Sequence, residues 1–291
     1  MIALLRSLLQ LTKPSIMLLV LVTGATALVM EGSFVSKPLD FLLVMIGLFL
    51  TGGSANAINQ YFEREIDAQM KRTAKRRPLP TGKLKPGHAL AFALSIGIGG
   101  CLLFGLRFNW LSAAFAGGTI FFYGVIYTLL LKPNTAQNIV IGGAAGAMAP
   151  VIAWAAVTGG TALAPWLLFL IIFLWTPPHF WALALYLKDD YRTVKLPMMP
   201  VVAGDDATLK QIVWYTVATI ATSIWLVVHC QYWVGAAAAI GLGLVFMKRA
   251  LQAQREKTRA VERGLFAYSI IYLFALFFAF MVDGFIGIAL A

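Results

Sequence analysis

Residues 39–67 read LDFLLVMIGLFLTGGSANAINQYFEREID. The run from Leu39 to Phe62 is long enough to cross a bilayer, which takes about 20 mostly apolar residues as a helix. It ends abruptly in Glu63, Arg64, Glu65 and Asp67. Along an α-helix, positions i, i+4 and i+8 drift by only about 80°. Asn59, Glu63 and Asp67 therefore share one oxygen-rich face, and Glu65 points roughly the other way. Charge at the edge of a membrane is costly, so an aligned acidic stripe there marks a functional site by default. A cluster that only fixed topology would need no such alignment.

The rest of the chain repeats the apolar pattern. Of 291 residues, 60% are hydrophobic and 12% charged, where soluble domains carry about 25% charged residues. A soluble core of this size would need polar faces on its helices, and most of these runs have none. The pattern predicts nine spans: Pro14–Met30, Leu39–Phe62, His88–Leu106, Trp110–Leu131, Asn138–Val157, Trp166–Leu187, Ile212–His229, a short eighth at Trp233–Met247, and Leu265–Val282. Small residues recur inside them, as in Gly142-Gly143-Ala144-Ala145-Gly146, and allow close helix approach. The fold class expected is all-α: a polytopic helical bundle of nine transmembrane helices, forming one domain over 1–291.

All Lys and Arg except Lys37 and Arg107 fall on one side of that topology. The positive-inside rule then puts the N-terminus and every even-numbered exit in the cytoplasm. Trp110, Trp166 and Trp233 lie at span ends, as interfacial belts require. The net charge of +11 is thus an orienting signal, and no nucleic-acid partner is expected. Arg6 and Lys13 precede the first run without a clear cleavage site, so that helix reads as uncleaved. Cys101 and Cys230 match no metal spacing.

Of twelve acids, seven fall in two cytoplasmic places. The stripe is followed at once by Lys71, Arg72, Lys75, Arg76 and Arg77, then Lys83 and Lys85. Acids beside bases suit a metal-bridged diphosphate: Mg²⁺ takes one or two carboxylates and completes its shell with water and phosphate, and bases hold the remaining oxygens. The second place is Tyr186-Leu-Lys188-Asp189-Asp190-Tyr191-Arg192, with Asp205 and Asp206 beyond it. Asp189 and Asp190 are candidates for a second metal shell, and Asp206 fits a helix N-cap. A carrier would show acids nearer the midplane, and here they lie at helix ends on one side only.

An Asn-x3-acid-x3-Asp stripe followed by bases, with a second acidic loop two hairpins later, resembles the UbiA superfamily of intramembrane prenyltransferases. Three stretches resemble its heme-farnesylating branch: Asp67-Ala-Gln-Met70-Lys-Arg72-Thr73 with the Arg-Pro after it, Lys132-Pro-Asn-Thr135-Ala-Gln-Asn138, and Trp175-Thr-Pro-Pro-His179-Phe-Trp-Ala-Leu. There are departures. Glu63 stands where Asp is common, Pro133 where Arg is expected, and Ala149 and Ala153 where Pro and Gly are expected. An extra residue leaves either Arg76 or Arg77 as the base of that motif. His179, Ala182 and Tyr186 stand where relatives acting on phenolic acids have Asp or Tyr.

The resemblance implies transfer of the farnesyl group of farnesyl diphosphate to a vinyl group of heme B, with water addition, giving heme O. Quinone-precursor and chlorophyll-type acceptors are the alternatives. It implies Mg²⁺ held by Asn59, Glu63 and Asp67, with Asp189 or Asp190 for a second ion. Lys71, Arg72, Arg76 or Arg77, and Lys132 would hold the diphosphate. His179, with Tyr123, Tyr127, Trp181 and Tyr186, would line the heme or acceptor pocket. The setting implied is a bacterial inner membrane with the site facing the cytoplasm. A heme A synthase or terminal oxidase would use the product.

Overall fold

A computed structural model describes residues 2–290. Nine helices among them are long and apolar enough to cross a membrane, and no strand is present. They are α1 (Pro14–Glu31), α2 (Pro38–Phe62), α3 (Pro86–Arg107), α4 (Trp110–Asn134), α5 (Asn138–Thr158), α6 (Leu163–Tyr186), α7 (Gly204–Cys230), α8 (Trp233–Glu256) and α9 (Arg259–Leu290). Proline opens α1, α2 and α3 within the first turn, where its missing N–H costs no helix bond.

The nine expected spans are all present. The eighth is not short: α8 continues past Met247 to Glu256. Its last turns carry Lys248, Arg249 and Arg255, so hydropathy stops before the helix does. For the same reason α7 starts at Gly204 and α9 at Arg259. Asp206 therefore lies inside the first turn of α7, where it pairs with Lys257, and is not its N-cap.

The helices close into a ring. α1 packs against α2, α5 and α9, while α6 packs against α5, α7 and α9. Small residues set the closest crossings. A Cβ on Gly100 would stand 2.7 Å from Thr51, and one on Gly284 would stand 2.9 Å from Val29. Ser54 Oγ donates to the Ala93 carbonyl across α2 and α3 at 2.8 Å. On the other rim Asp283 of α9 accepts from the Val234 and Gly235 backbone N–H groups and so caps α8.

Two helices depart from regular winding, α5 and α4, while α6 keeps it through two prolines. α5 breaks at Met148, ahead of Pro150. α6 runs through Pro177 and Pro178 without interruption. In α4, residues Phe122–Leu131 are wound as a π-helix.

A leading helix, Ile2–Leu11, lies against the ends of α2 and α3. Side-chain amides fix it: Gln60 Nε2 donates to the Leu11 carbonyl at 2.8 Å, and Asn56 Nδ2 to the Thr12 carbonyl at 3.2 Å.

Candidate active site

The ring encloses a cavity of about 510 Å³, within the range of ligand pockets. Its body is apolar, walled by Val20, Leu48, Ala116, Ala149, Ile152 and Ile172. Its mouth is charged, with Lys13, Asn59, Glu63, Asp67, Arg77 and Lys132 all on the lining.

The acidic stripe forms one wall of that mouth. Glu63 is the joint between α2 and a short helix, Arg64–Gln69, yet the helical bonding continues across it. Glu63 N–H donates to the Asn59 carbonyl at 3.0 Å, and Asp67 N–H to the Glu63 carbonyl at 2.8 Å. The expected alignment is therefore kept, and Glu65 is exposed on the far side. Asn59, Glu63 and Asp67 are 2%, 4% and 2% exposed. A carboxylate at a helix C-terminus meets the negative end of the dipole, so burial there demands cations.

They come from three other segments. Lys132 of α4 pairs with Glu63, and Arg77 pairs with Asp67 and reaches Glu63 at 3.7 Å. Lys13, just before α1, donates to Asn59 Oδ1 at 2.9 Å. Burial and the facing Arg77 push the Lys13 amine down to about 7. Burial alone would raise Glu63, but Lys132, Lys13 and Arg77 hold it below the usual carboxylate range. Asp67 goes up, because burial and the neighbouring Glu63 outweigh Arg77.

The π-helix explains how Lys132 reaches the mouth. In an α-helix Tyr123 and Lys132, nine residues apart, point in opposite directions. At about 80° per residue, as i→i+5 bonding gives, they share a face with Tyr127. The rings of Tyr123 and Tyr127 stack at 5.1 Å and line the cavity. Thr128 Oγ1 donates to the Tyr123 carbonyl, five residues back, and accepts from Asn59 Nδ2 at 3.1 Å.

Of the two candidate bases, the structure brings Arg77 to the carboxylates. Arg76 is exposed, and its backbone alone is engaged: its N–H donates to the Thr73 carbonyl at 3.0 Å and its carbonyl accepts from Gln10 Nε2 at 2.8 Å. Arg72 lines the cavity, while Lys71 is exposed away from it. Asp189 pairs with Arg259 and Arg192 on the surface, and neither it nor Asp190 lines the cavity. Trp181 is wholly buried against Tyr215, and Tyr186 closes α6; both lie outside the lining. His179 stands behind the wall made by Trp175 and Phe180. Pro133 borders a small side pocket with Glu63 and Lys132.

Sequence reading passed over Lys13, taken only as an orienting charge. No sequence signal marked it: a residue before proline is biased towards extended backbone, whereas Lys13 is left-handed, φ 54° and ψ 67°, ahead of the helix-opening Pro14. It also passed over Tyr191, Leu196 and Met198, which close the mouth from the α6–α7 connection.

Two carboxylates and an amide oxygen form a donor set for a hard divalent cation whose shell phosphate and water complete. Among the described residues no three His, Cys, Asp or Glu side chains form a metal cage. With Arg72, three permanent cations and the Lys13 amine face two carboxylates, so the mouth is net positive and suited to a polyanion.

Fold and site together define a polytopic membrane protein built to take an amphiphilic anion head-first at one face. The chain belongs to the UbiA prenyltransferase family, whose model matches residues 19–285. It is 44% identical over 286 residues to protoheme IX farnesyltransferase 2 of Mesorhizobium japonicum, covering 97% of this chain and 90% of that one. It is 46% identical over 280 residues to protoheme IX farnesyltransferase of Rhodopseudomonas palustris, covering 94% and 88%. The fold matches a digeranylgeranylglyceryl phosphate synthase with a TM-score of 0.80 at 19% identity, over 98% and 99% of the two chains. It also matches a UbiA homologue of Archaeoglobus fulgidus bound to DMAPP and Mg²⁺, with a TM-score of 0.70 at 15% identity over 98% and 100%.

Proposed function

We propose that this chain transfers the farnesyl group of farnesyl diphosphate to a vinyl group of heme B, with addition of water, to give heme O. The observation that carries the reading is the join of a cationic mouth to an apolar body in one cavity. The farnesylating relatives at 44–46% identity support the acceptor.

Arg77, Lys132, Lys13 and Arg72 hold the diphosphate oxygens. Asn59, Glu63 and Asp67 would hold Mg²⁺, which supplies positive charge against the departing diphosphate. A UbiA homologue of the same fold bound to Mg²⁺ with DMAPP or GPP supports a divalent ion as part of the reading. The C1–oxygen bond of farnesyl diphosphate breaks, and the pair of electrons leaves with diphosphate. The stacked faces of Tyr123 and Tyr127 attract the allylic cation. The vinyl group supplies the electrons of the new carbon–carbon bond, and water captures the resulting cation and gives up a proton. Fixed charges already in place at the leaving group provide most of the catalysis.

The whole chain, 1–291, acts as one domain in a bacterial inner membrane. The N-terminus and the cavity mouth face the cytoplasm, by the distribution of Lys and Arg. The product passes to a heme A synthase or a heme-copper terminal oxidase. The test is purified protein in detergent with Mg²⁺, farnesyl diphosphate and heme B, with products resolved by mass and Asp67→Asn as control. A hydroxylated farnesyl-heme lost in the variant is the expected result. Transfer to a quinone precursor with heme untouched would replace the acceptor.

A further inference from the structure

His179 is held more tightly than packing requires. Its ring stacks on Trp175 at 4.3 Å and 16°, and on Phe266 of α9 at 4.7 Å and 25°. Two near-parallel rings at those distances lie on opposite faces of the imidazole. The remaining rotation is fixed by a 2.8 Å hydrogen bond between Nδ1 and Ser269 Oγ.

The direction of that bond follows from Ser269. Its hydroxyl proton is donated to the Phe266 carbonyl at 2.7 Å. Ser269 Oγ has one proton, so towards His179 it accepts, and Nδ1 carries the hydrogen. The Ser269 carbonyl is in turn held by Trp175 Nε1 at 2.8 Å. With the Ser269 proton on the Phe266 carbonyl, the imidazole is the Nδ1–H tautomer, with its lone pair on Nε2. That nitrogen has no hydrogen-bond partner among the described residues, and it is not among their sealed buried polar atoms. Metal-binding histidines are built this way: one nitrogen donates to an outer partner, which fixes the ring and aims the other at the metal.

The position suits the acceptor. Trp175 and Phe180 both touch the imidazole and both line the cavity. Phe180, next in sequence to His179, is 37% exposed. His179 lies seven residues inside the end of α6, about 10 Å along the helix axis.

We infer that Nε2 of His179 is the axial ligand to the iron of the heme acceptor, and that Ser269 is the positioning residue that fixes its tautomer. This rests on heme being the acceptor.

The test titrates the full-length protein in detergent with heme B and reads the optical spectrum and, after reduction, the iron–histidine stretch by resonance Raman. The wild type is expected to show a histidine-ligated iron. His179→Ala is expected to lose the stretch and at least tenfold in heme affinity, and millimolar imidazole to restore the band. Ser269→Ala keeps the ligand but loses its orientation, with a lower stretching frequency and roughly tenfold weaker binding. Thermal stabilisation by farnesyl diphosphate in each variant certifies the fold. An unchanged stretch and affinity in His179→Ala would overturn the inference, including when turnover falls, since His179 would then act as a base. A wild type that binds no heme but farnesylates another acceptor would sink the functional reading itself, a separate result.

Discussion

Two acidic clusters of similar composition sit at the same face of the bundle and behave differently. Glu63 and Asp67 are almost fully buried and meet cations from three other segments. Asp189 is exposed and pairs with Arg259 and Arg192, whose side chains are themselves largely in solvent. Burying a carboxylate is expensive unless it is paired. A chain that buries two beside an apolar cavity has placed them for something that enters the cavity. Exposed pairs need no such explanation, because solvent screens them. Acid content alone therefore does not locate the site, and burial with pairing from distant segments does.

The largest effect expected on that contrast is on turnover. Asp67→Asn keeps the shape of the wall and removes one negative oxygen from the proposed metal face. Farnesyl transfer should fall on the order of 10²-fold or more, the scale seen when one preorganised electrostatic group is lost. Removing divalent cations with a chelator should abolish the same activity, and Mg²⁺ should restore it. Asp189→Asn assayed alongside should stay within about twofold of the wild type. Equal losses in the two variants would erase the distinction between the clusters.

The next effect separates two adjacent arginines. Arg77→Ala leaves Asp67 and part of Glu63 buried without a partner, and breaking a buried pair from one side costs about 3–5 kcal/mol. Thermal unfolding in detergent should register it as a large drop. Arg76→Ala removes an exposed side chain and should change stability by no more than about 0.5 kcal/mol. The reverse order would mean that the other arginine is the one at the mouth.

Lys13 comes third. Its amine holds Asn59 and faces the proposed diphosphate site. Lys13→Met keeps most of the apolar stem and removes the charge. A charge-assisted hydrogen bond contributes about 1.5–3 kcal/mol, so KM for farnesyl diphosphate should rise roughly tenfold or more. An unchanged KM with lower kcat would assign Lys13 to shaping Asn59 and not to the substrate.

These residues also mark what the sequence made legible. The nine spans were readable because hydrocarbon imposes long apolar runs, and the stripe was readable because α2 stays helical through Glu63. The ends of α7, α8 and α9 were not, since a helix can continue into water after its apolar run stops. The choice between Arg76 and Arg77 was left open because it depends on a short turn, Met70–Arg77, and not on periodicity. Lys132 was assigned by resemblance alone: regular α-winding would have turned it away from Tyr123, and only the π-helix returns it. Lys13 was hidden because its role depends on a left-handed backbone at one residue.

The smallest effect tests the surface cluster on its own terms. Asp189 bridges the α6–α7 connection to the start of α9 through Arg259, with both side chains more than 70% exposed. Exposed pairs contribute about 0.2–1 kcal/mol and are screened by salt. Asp189→Asn should therefore lower the thermal midpoint slightly at low ionic strength, and the difference should vanish at high salt. The buried pairs of Arg77 and Lys132 are shielded from added ions, so the loss in Arg77→Ala should persist under the same salt. If both differences faded together, the mouth would be far wetter than its burial implies, and its carboxylates would have to be treated as surface charges like Asp189.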